Sequence, residues 1–206
     1  MKQESESKRK LLEAAIDLVW KSSYGAVSVD DICEKAGVNK GSFYYAFKSK
    51  SDLAVAAYER YWENKRAKMD AMFSPQVPPL QRVDNLVEAI IADQMARYKE
   101  YGKMAGCPFC SLGSELGTQD ENIRIATDKI GAKFVKYYES LVRDLLAEGL
   151  IETQNPGELA QEVSAYVAGV LTQAKIENNP RMLERLKHGM LRLLGLKAQP
   201  LAATAA

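Results

Sequence analysis

Two stretches of this sequence set reactive or hydrogen-bonding side chains at spacings that suggest chemistry. The first runs from Ala36 to Lys50 (AGVNKGSFYYAFKSK) and holds three lysines, two phenols, two serines and no acid. Such groups donate to anionic oxygens while phenol rings brace sugars, so a helix of this make-up suits a phosphate backbone. The second is Cys107-Pro108-Phe109-Cys110. A thiol at a helix start faces free backbone N–H groups and the positive end of the helix dipole, which favour the thiolate and make it reactive. The pair could oxidise, or Cys107 could take up an electrophile, with Lys175 a candidate for added positive charge. The plainer alternative is that both thiols are small apolar fillers.

Other chemistries are poorly supplied. A structural zinc site needs four ligands, and no second cysteine pair accompanies Cys107 and Cys110, so no metal or cofactor is expected. His188 is the only histidine. With no Gly-rich phosphate loop and no nucleophile beside a plausible base, enzymatic catalysis is disfavoured. The chain has 206 residues, 47% of them apolar, a net charge of +1 and three cysteines. That is ample for a packed core, and reduced thiols are the default for a chain this size. No apolar run approaches the roughly 20 residues that span a bilayer. The N-terminus (MKQESES) is polar and lacks an export signal, so the expected compartment is the cytoplasm, without a membrane partner.

The elements that must position these groups read as helices throughout. Leu11, Leu12, Ala15, Leu18 and Val19 make residues 8–21 an amphipathic first helix. Ser28 stands three before Asp31, a capping-box spacing that opens a second helix over 29–36. Gly37 follows as a left-handed terminator, and Asn39 caps the third helix. Two short helices across a glycine turn make a helix-turn-helix. Ser49 and Asp52 start a long fourth helix to about Met72, which Ser74-Pro75-Gln76-Val77-Pro78-Pro79 ends. A fifth helix spans about 80–101. Cys107 caps and Pro108 opens a sixth, Thr118 and Glu121 cap a seventh, and Asn155-Pro156 and Asn179-Pro180 start an eighth and a ninth. Pro200 and the alanine-rich tail are expected to fray. No strand or internal repeat is evident.

The first 55 or so residues closely resemble the DNA-binding domain of the TetR family of bacterial transcriptional regulators. The resemblance rests on Leu11 to Leu18, Tyr24-Gly25, Ser28-Val29-Asp30-Asp31-Ile32, Ala36-Gly37-Val38, Lys40 to Tyr45, Phe47, Lys50 and Leu53. Gly106-Cys107 with Leu112 and Glu115-Leu116 is similar to the branch containing repressors of reductase and drug-efflux genes. The resemblance implies an all-α, nine-helix architecture. Residues 1–50 would be a three-helix reading head, and 51–206 a ligand-binding and dimerisation body. It implies a homodimer whose two heads read successive major grooves of a palindromic double-stranded operator, about 34–36 Å apart, and which a small-molecule inducer releases. Asn39, Lys40, Gly41 and Tyr45 fall where the family's recognition helix meets base edges. Ser28, Ser42, Tyr44 and Lys50 fall where it meets phosphate. Phe43 and Ala46 depart from the family's usual smaller aliphatic and larger aromatic or imidazole, which leaves the operator's base sequence open.

In the body, the family places its inducer among the fifth to eighth helices. Gln94, Tyr98, Tyr138, Tyr166 and Gln173 are candidate polar contacts there, with Cys107 and Phe134 as further lining, and they point to an aromatic or amphipathic ligand. Such aromatics could equally be core. Leu159, Val163 and Val170, with Leu183, Leu186, Met190 and Leu194, follow three-four patterns on the last two helices. With the family match they are expected at the dimer interface, in a four-helix bundle between subunits. Three functions compete: a ligand-responsive repressor, a redox- or electrophile-sensing repressor using Cys107, and an all-helical small-molecule carrier or enzyme.

Overall fold

Helix caps set the architecture of the first 73 residues. The computed structural model describes residues 5–196. Helix α1 (Glu6–Lys21) is capped by Ser5, and α2 (Val29–Ala36) by Ser28 in a full capping box with Asp31. Gly37 then adopts a φ of 65°, a left-handed conformation that costs glycine nothing, and turns the chain into α3 (Lys40–Ala46). Asn39 caps α3 through the Ser42 N–H, and Ser49 caps α4 (Lys50–Met72) through the Asp52 N–H. Leu11, Ile32, Phe43 and Phe47 form a small core that Leu53 and Ala57 of α4 close. The head therefore shares the first turns of α4 with the body.

The body comprises α5 (Pro79–Tyr101), α6 (Pro108–Leu116), α7 (Glu121–Ala147), α8 (Pro156–Glu177), a 3-10 turn (Pro180–Glu184) and α9 (Arg185–Leu193). Among the described residues there is no strand. Its main core joins α5, α7, α8 and α9 to the end of α4. A second cluster, Tyr58, Trp62, Phe109, Leu112, Ile123 and Ile130, binds α4, α6 and α7 where head meets body. Arg82 lies buried in α5, donating to the Val77 carbonyl at 2.7 Å and to Asp144 of α7 at 2.5 Å.

Three expectations need correction. Helix α7 starts at Glu121 because Asp120, not Thr118, caps it by accepting from the Ile123 N–H. The ninth helix begins as a 3-10 turn. The dimer-interface set faces inward: Val163, Val170, Leu183, Leu186, Met190 and Leu194 are buried in their own subunit's core, and half-buried Leu159 packs against it. The apolar periodicity of α8 and α9 records their burial against α5 and α7, which the pattern alone cannot distinguish from a subunit contact. The outward face instead carries Ala165, Tyr166, Gly169, Gln173 and a 72% exposed Ile176, beside Arg185, His188 and Gly189. Pro200 and the alanine-rich tail lie outside the described residues.

Leu186 is fully buried, so Leu186→Ala is expected to cost about 2–5 kcal/mol in urea unfolding. A loss below about 0.5 kcal/mol with weakened self-association would instead put Leu186 on a subunit surface.

Candidate functional site

The short α3 presents one face outward. Phe43 is fully buried beneath it and anchors the helix, with Tyr44 packed edge-on against its ring. Lys40, Gly41, Tyr44 and Tyr45, at positions i, i+1, i+4 and i+5, share the solvent side, and the two phenols are 60% and 92% exposed. Two adjacent exposed aromatics on a helix this short form an apolar patch of the kind found at interaction surfaces. Lys40 pairs with Asp30 at 2.8 Å, but both are more than half exposed, so an incoming anion or base edge can replace the bond at small cost. Exposed Lys48, passed over as a contact in the sequence, has no partner among the described residues and extends the basic edge beyond α3.

Two expected phosphate contacts are already engaged. The Ser28 hydroxyl accepts from the Asp31 N–H and donates to the Asp31 carboxylate at 2.7 Å. That hydrogen bonding, with the Ser28 N–H, holds the Asp31 carboxyl below the usual range. Lys50 turns inward: its ammonium donates to the Tyr24 and Val27 carbonyls at 2.7 and 2.6 Å and lies 3.9 Å from the Tyr24 ring centre. Burial pushes its pKa down despite nearby Glu115 and Asp31. Lys50 thus fastens the turn between α1 and α2, a role that carbonyls distant in sequence give it and that spacing could not reveal.

A cavity of about 580 Å³ opens between α4, α5, α6, α7 and α8. Its wall includes Met69, Met72, Ile90, Phe109, Phe134, Tyr138, Val167 and Leu171, with Cys107 and Cys110 at the start of α6. Phe134, Tyr138 and Cys107, named from the sequence as candidate ligand contacts, line this cavity. Gln94 also lines the cavity, but its amide oxygen accepts from the Gly106 N–H and its NH2 donates to the Gly106 carbonyl, both at 3.0 Å, so it holds the α5–α6 connection. Three candidates are corrected. Tyr98 packs against the body core instead of lining the cavity. Tyr166 lies on the outer side of α8, where its hydroxyl donates to the Arg185 carbonyl at 2.7 Å. Gln173 points outward and donates to Glu177 at 2.6 Å. The helical period places these residues on α5 and α8 without showing which side faces the cavity. The wall contributed by α4, from Tyr61 to Met72, was missed because its residues look like ordinary amphipathic helix.

Tyr138 is a buried polar group left open in that wall. It is 4% exposed, and among the described residues nothing hydrogen-bonds its hydroxyl. Burial pushes the phenol upward in pKa, so it stands as a neutral donor. Lys65, on the α4 side, is paired with Asp93 at 3.4 Å. Cys107 is drawn down to about 7, first by the S–H of Cys110 and then, against burial, by the N–H groups of Cys110 and Phe109 and the charge of Lys65. Cys110 is pushed up by donating that S–H and by burial. Lys175 does not sit free beside the thiol: its ammonium donates to Ser111 at 3.0 Å. Among the described residues no cluster of three or more histidine, cysteine or acidic side chains could hold a metal ion, and no helix is long and apolar enough to cross a membrane.

Residues 11–57 match the family model described as bacterial regulatory proteins, tetR family. Residues 79–190 match the model for a tetracyclin repressor-like C-terminal domain. The chain is 29% identical to the transcriptional regulator AcuR of Cereibacter sphaeroides, over 90% of this chain and 82% of that protein. It is 25% identical to the HTH-type transcriptional repressor NemR of Escherichia coli, over 96% of each. A crystal structure of the regulatory protein TetR from Rhodobacter sphaeroides superposes with a TM-score of 0.81 at 27% identity, covering 92% of this chain and 99% of that one.

The thiol pair carries a pH signature. Because the Cys107 pKa is lowered, its alkylation by iodoacetamide is expected to reach half its maximal rate at a lower pH than that of a free thiol. Cys110→Ala removes the leading hydrogen bond and should move that midpoint upward. A midpoint at about 8.5, the value of a free thiol, in both proteins would contradict the lowering and its cause.

Proposed function

The chain belongs to the TetR family of bacterial regulatory proteins, and from that premise we propose that it represses transcription by holding a palindromic operator as a cytoplasmic homodimer until a small molecule fills the cavity. Members of this family are ligand-responsive, DNA-binding regulators and not enzymes. The observation that carries the reading is the pairing, in one chain, of an exposed Lys40–Tyr45 face on a helix-turn-helix with an apolar cavity walled by the helix that leaves that head. A ligand acts only through different affinity for two states, so the filled body must prefer a head placement that fits successive grooves less well.

In this reading residues 1–50 read DNA, and residues 51–206 bind the ligand and dimerise. Lys40, Gly41 and Tyr45 meet base edges along with Asn39, whose amide oxygen already caps α3. Ser42, Tyr44 and Lys48 meet phosphates. Subunits join through the outward face of α8 and α9, where Ala165 and Gly169 allow close approach, while Gly189 makes room for Tyr166 of its own chain. The inducer is a mainly apolar or aromatic molecule with one hydrogen-bond acceptor for the Tyr138 hydroxyl. A second reading, sensing of an oxidant or electrophile, is favoured by one observation: the lowered pKa of Cys107 in the cavity wall. Operator release by peroxide or a quinone that survives Cys107→Ser would exclude it.

Selection from a random duplex pool supplies the operator. Tyr44→Ala is expected to weaken binding to it at least about tenfold. Lys50→Ala, in contrast, is expected to lower the thermal midpoint of the head and leave the salt dependence unchanged, because its ammonium holds carbonyls. A slope reduced by about one phosphate would return Lys50 to the DNA. Recovery of no preferred duplex, or binding indifferent to Tyr44, would overturn the proposal. In sedimentation at micromolar concentration the chain is expected to be a dimer and Gly169→Arg a monomer.

A further inference from the structure

We infer that Glu115, on α6, is the positioning residue through which the head registers whether the cavity is filled; this rests on the cavity being the ligand site. Helix α6 runs from the cavity wall to the head. Cys107, Phe109, Cys110 and Gly113 line the cavity at its start and middle. Near its other end the Glu115 carboxylate accepts from the Gly25 N–H at 2.7 Å and the Tyr24 N–H at 3.2 Å, across about 90 residues of sequence. These are amides of the turn between α1 and α2, and charge-assisted bonds of this kind are stronger than neutral ones.

The other side of the same turn faces a cation. Lys50 takes the Tyr24 and Val27 carbonyls, so a carboxylate from the body holds the turn's donors and an ammonium at the foot of α4 holds its acceptors. Opposite charges thus match the two polarities of one peptide segment. Gly25 fits this arrangement: a Cβ there would lie 3.0 Å from the Glu115 carboxylate oxygen. Phe109 gives α6 a second hold, packing on Tyr58 and Tyr61 of α4 and on Phe134 of α7. A ligand that displaces the cavity end of this short helix must shift Phe109 or Glu115, and Glu115 moves the turn on which α2 and α3 are built.

A built-in occupant tests the inference without a known ligand. Gly131 lines the cavity, and a Cβ on it meets nothing within 4 Å, so Gly131→Phe places a ring in that space. Operator affinity is measured for the wild type, Gly131→Phe, Glu115→Ala and the double variant, using the selected operator. Gly131→Phe is expected to weaken binding at least about tenfold in the wild-type background and less than about twofold in the Glu115→Ala background. Gly25→Ala, which crowds the carboxylate from the head side, serves as a second uncoupling background and is expected to give the same loss of response if Glu115→Ala fails to fold. An equal effect of Gly131→Phe in all backgrounds would overturn the role of Glu115 and leave the cavity reading standing. No effect in the wild-type background would overturn both.

Discussion

A turn that leaves a helix must find partners for backbone groups that no helix satisfies. The turn after α1 finds them in two charges from elsewhere: the Glu115 carboxylate for its N–H groups and the Lys50 ammonium for its carbonyls. The orientation of α2, and through Gly37 that of α3, follows from where this turn is held. Further ties run from α1 to α5, where Tyr101 donates to Asp17 at 2.8 Å and the Arg97 guanidinium lies 3.5 Å from the Trp20 ring centre. The head is therefore carried by the body through α4, α5 and α6, all of which also wall the cavity.

The same helices face two demands. Protein interiors pack closely, and a void of about 580 Å³ forgoes the contacts that would otherwise stabilise the body. The aromatic cluster around Trp62, Phe109 and Ile130 supplies cohesion on the head side of that void, and the long α7–α8 core supplies it on the other. Within the wall most polar groups are already paired, Gln94 with Gly106 and Lys65 with Asp93. Tyr138 and the Cys107 thiol lie open among the apolar lining.

The sequence showed the helices, and the structure exposes the Lys40–Tyr45 side of α3. Ser28, Asn39, Ser49 and Gly37 act locally, within three or four residues, and their caps and turn emerge where pattern puts them. Roles set by distant partners were illegible. Lys50 reads as one more lysine in a basic run, and only the fold brings it to Tyr24 and Val27. Glu115 carries no local signal for its contact with the head, since its partner amides, Tyr24 and Gly25, lie about 90 residues earlier in the chain. Leu186 and Met190 repeat at helical spacing whether they meet their own subunit or another, and burial decided for the former. Tyr98 and Tyr138 were equivalent aromatics until the cavity separated them.

The placement of the head depends on the turn being held from the body side. Hydrogen exchange of individual amides measures that directly. The Tyr24 and Gly25 N–H groups, although Gly25 is exposed, are predicted to exchange well below the rate of a free loop, because they open only when the Glu115 contact breaks. Exchange at the rate of a free loop, with α6 still protected, would contradict it.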